Sequence, residues 1–125
     1  MVEFCFRSMK KSHQPVILHG GDYNPDQWLG YPDVLAQDFA LMKSAHINAV
    51  TVGVFGWAAL EPEEGRFEFG WLDDVFDRAE KNGFRVILAT PSGGKPNWLA
   101  LNYPEVRRVG PDGVREPQQR RHNHC

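Results

Sequence analysis

The sequence is poor in cysteine and has no long apolar run. Only Cys5 and Cys125 are present, one near each end of the chain, which is no disulfide framework and favours a reducing compartment. No apolar stretch is long enough to span a bilayer, and the basic residues of the opening segment follow the apolar ones, the reverse of a secretory signal. We therefore expect a cytoplasmic protein without a membrane partner, and a loose leader over residues 1–15.

The chain also lacks a strong excess of charge of either sign. Its formal net charge of −2 gives no reason to expect nucleic acid as a partner, although the C-terminal end is locally rich in arginine. No glycine pattern of the GxGxxG or Walker type is present, so a minimal doubly wound nucleotide-binding domain is a remote alternative. At 125 residues, the chain is long enough for one small globular domain with a core.

Apolar runs and helical periodicity alternate along the chain. Short apolar runs predict strands at 15–18, 48–55 and 84–90, and apolar residues at helical spacing predict helices at 33–46 and 71–82. The paired glycines and the Asn-Pro of HGGDYNPDQW predict a loop after the first strand. Gly83 follows the predicted helix 71–82 and suits a helix C-terminus. His46 stands at the end of the predicted helix 33–46, at a position where a positive φ, and therefore glycine, is usual. This order of elements predicts a parallel sheet covered by helices.

The alternation of strands and helices does not continue after the third predicted strand. Residues 95–102 are compatible with a helical turn, and residues 103–125 are rich in turns without a further apolar strand or helix. The first and third strands would then be unpaired sheet edges, which are a liability for a free-standing domain. The chain is therefore either a minimal doubly wound sheet or the opening part of a larger barrel.

The stretch TVGVFGWAALEPEEGRFEFGW joins an apolar strand to a loop that is dense in aromatic and acidic residues. Gly56, Pro62 and Gly65 should break any regular continuation of the strand. Acids near the predicted strand ends are candidates for a catalytic pair, but we favour loop-shaping or solvated roles for them. These acids are Asp22, Asp26, Glu61, Glu63 and Glu64.

Four segments together resemble the start of the catalytic barrel of glycoside hydrolase family 42, the β-galactosidases. They are HGGDYNPDQW, FGWAALEPEEGRFEFGWLD, LATPSGGKPNWL and the closing RRHNHC, and the resemblance covers residues 18–125. It implies an α/β fold, a partial TIM (β/α)8 barrel that supplies the first three parallel strands with two crossover helices. Residues 16–125 would form the N-terminal portion of the catalytic domain, and the motifs would be strand-end loops on the carboxyl face, where such barrels build their sites.

The resemblance implies a retaining hydrolase that removes terminal β-galactosyl units with two glutamates, one acid/base and one nucleophile. In the family these glutamates lie near the ends of later strands, beyond Cys125, so the chain alone should be inactive and contributes no catalytic residue. No cofactor is implied for the reaction, and relatives often form homotrimers. A non-catalytic galactoside-binding module is the alternative that keeps the sugar-facing loops without the chemistry.

The resemblance also implies substrate-binding residues. The family has an arginine a few residues before a cysteine in this closing segment, and the spacing to Cys125 selects Arg121, with Arg120 next. Trp28 and Trp98 follow strand ends, where their rings could stack on a sugar or fill gaps in the packing. We expect packing roles for two further tryptophans, Trp57 and Trp71.

In some family members the cysteine at the position of Cys125 joins three later cysteines around zinc, as in structural tetrahedral sites. The resemblance therefore implies a possible structural zinc in the full-length protein. Within this chain, His122, Asn123 and His124 do not supply the spacing of a closed site.

Overall fold

The computed structural model describes residues 17–115 of the chain, so the leader predicted over residues 1–15 lies outside it. Seven regular elements follow one another, with three short 3-10 turns between or after them. They are β1 (Gly20–Tyr23), α1 (Pro32–Ser44), β2 (Ala49–Val52), α2 (Trp57–Leu60), α3 (Gly70–Asn82), β3 (Arg85–Leu88) and α4 (Asn97–Asn102).

The three strands form one parallel sheet in the order β1-β2-β3. The first residues of the strands, Gly20, Ala49 and Arg85, lie at one level, and the last residues, Tyr23, Val52 and Leu88, lie at another. Helix α1 connects β1 to β2, and α3 connects β2 to β3, as short right-handed crossovers between parallel neighbours require. The predicted parallel sheet is confirmed, and within residues 17–115 its two outer strands each pair on one side only.

The core lies between the sheet and its two long helices. Val50 and Val52 of β2 are fully buried, and they pack with Phe39 of α1 and Val75 of α3. The stacked rings of Phe39 and Phe84, with centroids 5.8 Å apart, close one end of this layer. Helices therefore cover one face of the sheet, and burial of aliphatic side chains at this interface is the main stabilising term.

The opposite face of the sheet is open. Alternate residues of a strand point to opposite faces, so the residues between the buried valines belong to this open face. Thr51 lies level with Ile87 in the register, and half of the Ile87 surface is exposed. An uncovered face that carries a large apolar side chain is typical of a sheet that continues into further structure.

The predicted position of the first strand is wrong. We expected a strand at 15–18 and a loop from His19 onward. Residues 15–16 lie outside the described part of the chain, residues 17–19 are not in a strand, and β1 begins at Gly20 and ends at Tyr23. The glycines are part of the strand because the backbones of β1 and β2 come very close together there: a Cβ atom on Gly20 would stand 1.7 Å from the carbonyl oxygen of Ala49. Pairing with the buried β2 overrides the low strand propensity of glycine.

The predicted break after the second strand is also partly wrong, because α2 forms one helical turn directly after Gly56. The helix ends were predicted correctly. Helix α3 ends at Asn82 with Gly83 in the left-handed conformation, and its N–H caps the last turn. Helix α1 ends at Ser44, and His46 has a φ of 58°. Within residues 17–115, no helix combines the length and the apolar character needed to cross a bilayer.

The contact at Gly20 predicts a position-specific effect on stability. Gly20→Ala should lower the free energy of unfolding by about 2 kcal/mol, because the added methyl group meets a backbone oxygen that cannot turn away. Gly21→Ala is the matched control, since a Cβ there has no heavy atom within 4 Å. Urea unfolding followed by far-ultraviolet circular dichroism measures both variants, and equal stabilities would contradict the close approach.

Candidate functional site

The strands end at one level, so the loops that follow them meet at one edge of the sheet. In parallel α/β sheets and barrels, ligands bind at the carboxyl ends of the strands. The relevant loops here follow Tyr23, Val52 and Leu88. The side chains of these three loops therefore form the candidate site.

Trp28 stands on the loop after β1, where just under half of its surface (45%) is exposed. Its ring packs edge-on against Tyr31, with centroids 6.4 Å apart. It lines an open cavity of about 510 Å³ together with Asp22, Asn24 and Asp38. The Oδ1 atom of Asn24 is buried and has no hydrogen-bond partner among the described residues. An exposed indole face beside polar groups is the combination that binds a pyranose ring.

The loops after β2 and β3 are in direct contact. The N–H of Gly93 donates to the carbonyl oxygen of Val54 at 3.0 Å. A Cβ atom on Gly93 would lie 2.9 Å from the Phe55 ring, and one on Gly94 would lie 2.8 Å from the Phe55 carbonyl oxygen. The paired glycines are therefore required for the two loops to touch.

Glu61 is a buried acid that fixes the loop after β2. Its relative exposure is 9%, and its carboxylate accepts hydrogen bonds from Trp57 Nε1 at 2.7 Å and from the N–H of Gly65 at 2.8 Å. Both carboxylate oxygens thus have neutral donors, which offsets the cost of burying the charge. Of the two roles that we considered for this acid, the structure supports loop-shaping.

Trp98 also depends on Glu61, because its Nε1 donates to the Glu61 carbonyl oxygen at 2.9 Å. The Trp98 ring packs edge-on against Trp57, with centroids 6.4 Å apart. Trp71 donates to the Ala59 carbonyl oxygen at 3.3 Å. The expected packing roles of Trp57 and Trp71 agree with these contacts. Trp98 has a structural contact as well, whereas Trp28 has the more exposed ring face.

Glu64, three residues further on, connects the same loop to the end of α4. Its carboxylate accepts hydrogen bonds from the Tyr103 hydroxyl at 2.5 Å and from Asn102 Nδ2 at 3.1 Å. This contact with a carboxylate raises the pKa of the Tyr103 hydroxyl, because an ionised phenol could not donate the bond. Glu63, in contrast, is exposed and lies 3.6 Å from Arg66.

Tyr23, at the carboxyl end of β1, connects the sheet to α1. Its hydroxyl donates to Asp38 Oδ2 at 3.3 Å, and its ring packs edge-on against Phe39 at 5.6 Å. Burial raises the pKa of the Tyr23 hydroxyl, and the negative charge of Asp38 raises it further. Asp38 interrupts the apolar stripe of α1, and this irregularity in the sequence was a signal of a buried polar partner.

The described acids that we considered for a catalytic pair have different surroundings. Glu61 and Glu64 hold the loop after β2, and Glu63 forms an ion pair with Arg66. Asp22 is an exposed residue of β1, and Asp26 lies in the 3-10 turn that follows β1. Within residues 17–115, no group of three or more His, Cys, Asp or Glu side chains is placed to hold a metal ion. Three predicted site residues, Arg120, Arg121 and Cys125, lie outside the described residues.

Two features of the site were missed by sequence reasoning. The buried acceptor on Asn24 leaves no mark in the sequence, because asparagine before proline is equally common in exposed turns. The hydrogen bond from Trp98 to the Glu61 carbonyl oxygen is the second missed feature, and it joins residues 37 positions apart, so no local pattern in the sequence predicts it.

Comparison with known protein families gives one matching family model, described as β-galactosidase of the glycoside hydrolase family 42 type, over residues 22–125. Similar curated proteins include the β-galactosidase BglY of Alicyclobacillus acidocaldarius, 61% identical over 108 residues. The β-galactosidase GanA of Bacillus subtilis is 60% identical over 109 residues. These matches cover 86% and 87% of this chain, but the chain spans only 16% of the length of either relative.

Solved structures of similar proteins give the same result. Gan42B of G. stearothermophilus, a family 42 β-galactosidase, superposes with a TM-score of 0.83 at 62% identity, over 87% of this chain and 16% of that one. The cold-adapted β-galactosidase of Rahnella sp. R3 superposes with a TM-score of 0.85 at 54% identity, over 91% of this chain and 17% of that one. The three strands and their helices thus match one part of much larger enzymes.

Glu61→Ala should lower the free energy of unfolding by about 2 kcal/mol, because it leaves the donors of Trp57 and Gly65 without their acceptor. Glu63→Ala is the matched control, since Glu63 is exposed and its ion pair contributes little. Urea unfolding followed by tryptophan fluorescence measures both. A loss of similar size in the two variants would contradict the loop-shaping role of Glu61.

The raised pKa of the Tyr23 hydroxyl predicts a loss of stability at alkaline pH. Its pKa is raised in the folded state, so its contribution is complete below the ordinary tyrosine value of about 10 and is lost as the pH rises above it. The free energy of unfolding, measured with urea from about pH 8 to about pH 11, should fall over the upper part of this range. The fall should be shallower in Tyr23→Phe, and an unchanged slope in that variant would show that another group is responsible.

Proposed function

Because the chain belongs to glycoside hydrolase family 42, the β-galactosidases, we propose that it supplies the opening strands of a catalytic barrel that hydrolyses terminal non-reducing β-D-galactosyl residues. The observation that carries this proposal is the match of a three-stranded parallel sheet, at 62% identity and a TM-score of 0.83, to one part of a family 42 enzyme. The chain spans 16% of that enzyme, so the activity is proposed for the longer protein.

The proposed reaction is a retaining hydrolysis. One carboxyl group protonates the departing glycosidic oxygen while a second, about 5 Å away, attacks the anomeric carbon, and water then releases the covalent galactosyl intermediate. We assign neither role to this chain, because the family resemblance places both reacting glutamates on later strands, beyond Cys125. The carboxylates of Glu61 and Glu64 instead hold the segments around them. One solved relative is a catalytic mutant of Gan42B in which a glutamate is replaced by alanine, which supports a glutamate as a reacting group in that enzyme.

The role proposed for this chain is to bind and orient the sugar. Trp28 offers a partly exposed ring on the loop after β1, beside an open cavity between β1 and α1 whose lining is polar at Asp22 and Asn24 and apolar at Leu41 and Met42. The loop itself follows a strand end, where barrels bind ligands. Arg121, or Arg120 beside it, would donate hydrogen bonds to sugar hydroxyls through its planar guanidinium group. The hydrolysis requires no cofactor in this scheme.

Three further properties of the longer protein are proposed on the family resemblance. Cys125 would join three other cysteines around a structural zinc ion, which the described residues alone could not hold. The longer protein would assemble as a homotrimer. It would act in the cytoplasm, in line with the low cysteine content of the chain.

A chimera tests the proposed activity. Residues 22–125 of this chain replace the matching segment of GanA, which is 60% identical over 109 residues. The chimera should hydrolyse an aryl β-galactoside with a kcat/KM within about tenfold of GanA, because the inserted segment brings the same loops to the barrel edge. Chromogenic assays measure the rate, and a folded chimera without turnover would contradict the proposal. The 125-residue chain alone should give no turnover.

A galactoside-binding module without chemistry is the second candidate, favoured by the exposed Trp28 ring beside its cavity. Titration of the isolated chain with galactose, followed by tryptophan fluorescence, distinguishes the two candidates. Saturable binding that is lost in Trp28→Ala, together with an inactive chimera, would favour the module. Turnover by the chimera would favour the hydrolase.

A further inference from the structure

The loop between α2 and α3 carries two acids that contact the same downstream segment. The carbonyl oxygen of Glu61 accepts the indole N–H of Trp98, which stands in α4. The carboxylate of Glu64 accepts hydrogen bonds from Asn102 and Tyr103, which lie where α4 ends. These contacts join residues that are 37 to 39 positions apart in sequence, so they fix the segment against the sheet edge.

Hydrogen bonds within the downstream segment, residues 97–115, stabilise its conformation. Arg107 donates from Nε and Nη2 to the Ala100 carbonyl oxygen at 3.3 and 3.0 Å. Arg115 donates to the carbonyl oxygens of Glu105 and Arg107. These hydrogen bonds connect residues 105, 107 and 115 to one another and to α4, so a contact that holds α4 also helps to place the residues that follow it.

We infer that Glu64 is a positioning residue of the proposed β-galactosidase, which holds residues 97–115 so that this segment can present its side chains to the sugar. This inference rests on the proposed function. Among the contacts to the α2–α3 loop given above, the one at Trp98 uses a backbone carbonyl, whereas the one at Tyr103 uses the Glu64 side chain. The Glu64 contact can therefore be removed by substitution without changing the backbone.

The segment matters for substrate because of what it carries. Trp98 lies at its start, and the chain continues from Arg115 towards Arg120 and Arg121, the residues proposed to donate to sugar hydroxyls. These groups would bind the sugar alike in the ground state and in the transition state. Loss of their alignment should therefore raise KM with little change in kcat.

The GanA chimera is the test system, with Glu64→Ala as the main variant and Glu63→Ala as its neighbour control. Glu64→Ala should raise KM for an aryl β-galactoside about fivefold, since it removes two hydrogen bonds that align the segment. Glu63 contacts Arg66 of its own loop, so Glu63→Ala should leave KM within about twofold of the parent chimera. The kcat of both variants should stay within about twofold of the parent value.

Three further variants separate positioning from folding. Glu64→Gln keeps a carbonyl oxygen that can accept the Tyr103 hydroxyl, so it should restore most of the parent KM. Tyr103→Phe removes the same bond from the other side, and Tyr103→Phe combined with Glu64→Ala should be no worse than Glu64→Ala alone. Thermal unfolding of each variant shows whether the fold is kept. If Glu64→Ala does not fold, the KM of the folded Tyr103→Phe variant is the test of the inference.

The outcomes are distinct. A KM that is equal in Glu64→Ala and Glu63→Ala, or a parent KM in folded Tyr103→Phe, would overturn the inference while an active parent chimera leaves the proposed function standing. A fall in kcat and thermal stability with no change in KM would show a structural role only, and would also overturn it. An inactive parent chimera would remove the proposed function and this inference together.

Discussion

The pairing of β2 with a parallel neighbour on each side is the constraint on which the rest of the structure depends. Its two ladders place the ends of all three strands at one level, and its buried Val50 and Val52 are the surface on which both long helices pack. The register of β2 is fixed, because the strand pairs on both edges and its valines pack against the helices. A shift of one residue would turn these valines to the open face. The loop contacts at the sheet edge follow from this fixed register.

The sequence was sufficient for the two long helices and for the order of the three strands, but not for the position of the first strand or for the short helix α2. Residues 15–18 are more apolar than Gly20–Tyr23, so local propensity favoured the wrong segment. The decisive factor was the close approach of two backbones at Gly20 and Ala49, and a contact between residues so far apart in sequence has no local pattern. Gly83 was different, because a left-handed helix end is a local requirement that glycine signals directly.

The sequence predicted where the candidate site lies, but it predicted less well which role each residue of the site has. Trp28 and Trp98 both follow strand ends, as expected, yet only the structure distinguishes an exposed ring from one that packs against Trp57. The sequence lists five acids in the strand-end loops without separating those that bind the backbone from those in solvent. Such a role is decided by the donors that each acid meets. At Glu61 they come from four residues away on either side, and at Glu64 they come from the end of α4, 38 and 39 positions away.

Two acids of the segment between α2 and α3 hold neighbouring parts of the chain in place. A reacting carboxyl group exchanges a proton or forms a bond with carbon, whereas a carboxylate that accepts hydrogen bonds from donors on both oxygens can also serve to hold the segments around it. Glu61 has such donors on each oxygen, and Glu64 has Tyr103 on one and Asn102 on the other. Fixed carboxylates of this kind connect the loop after β2 to itself and to the end of α4.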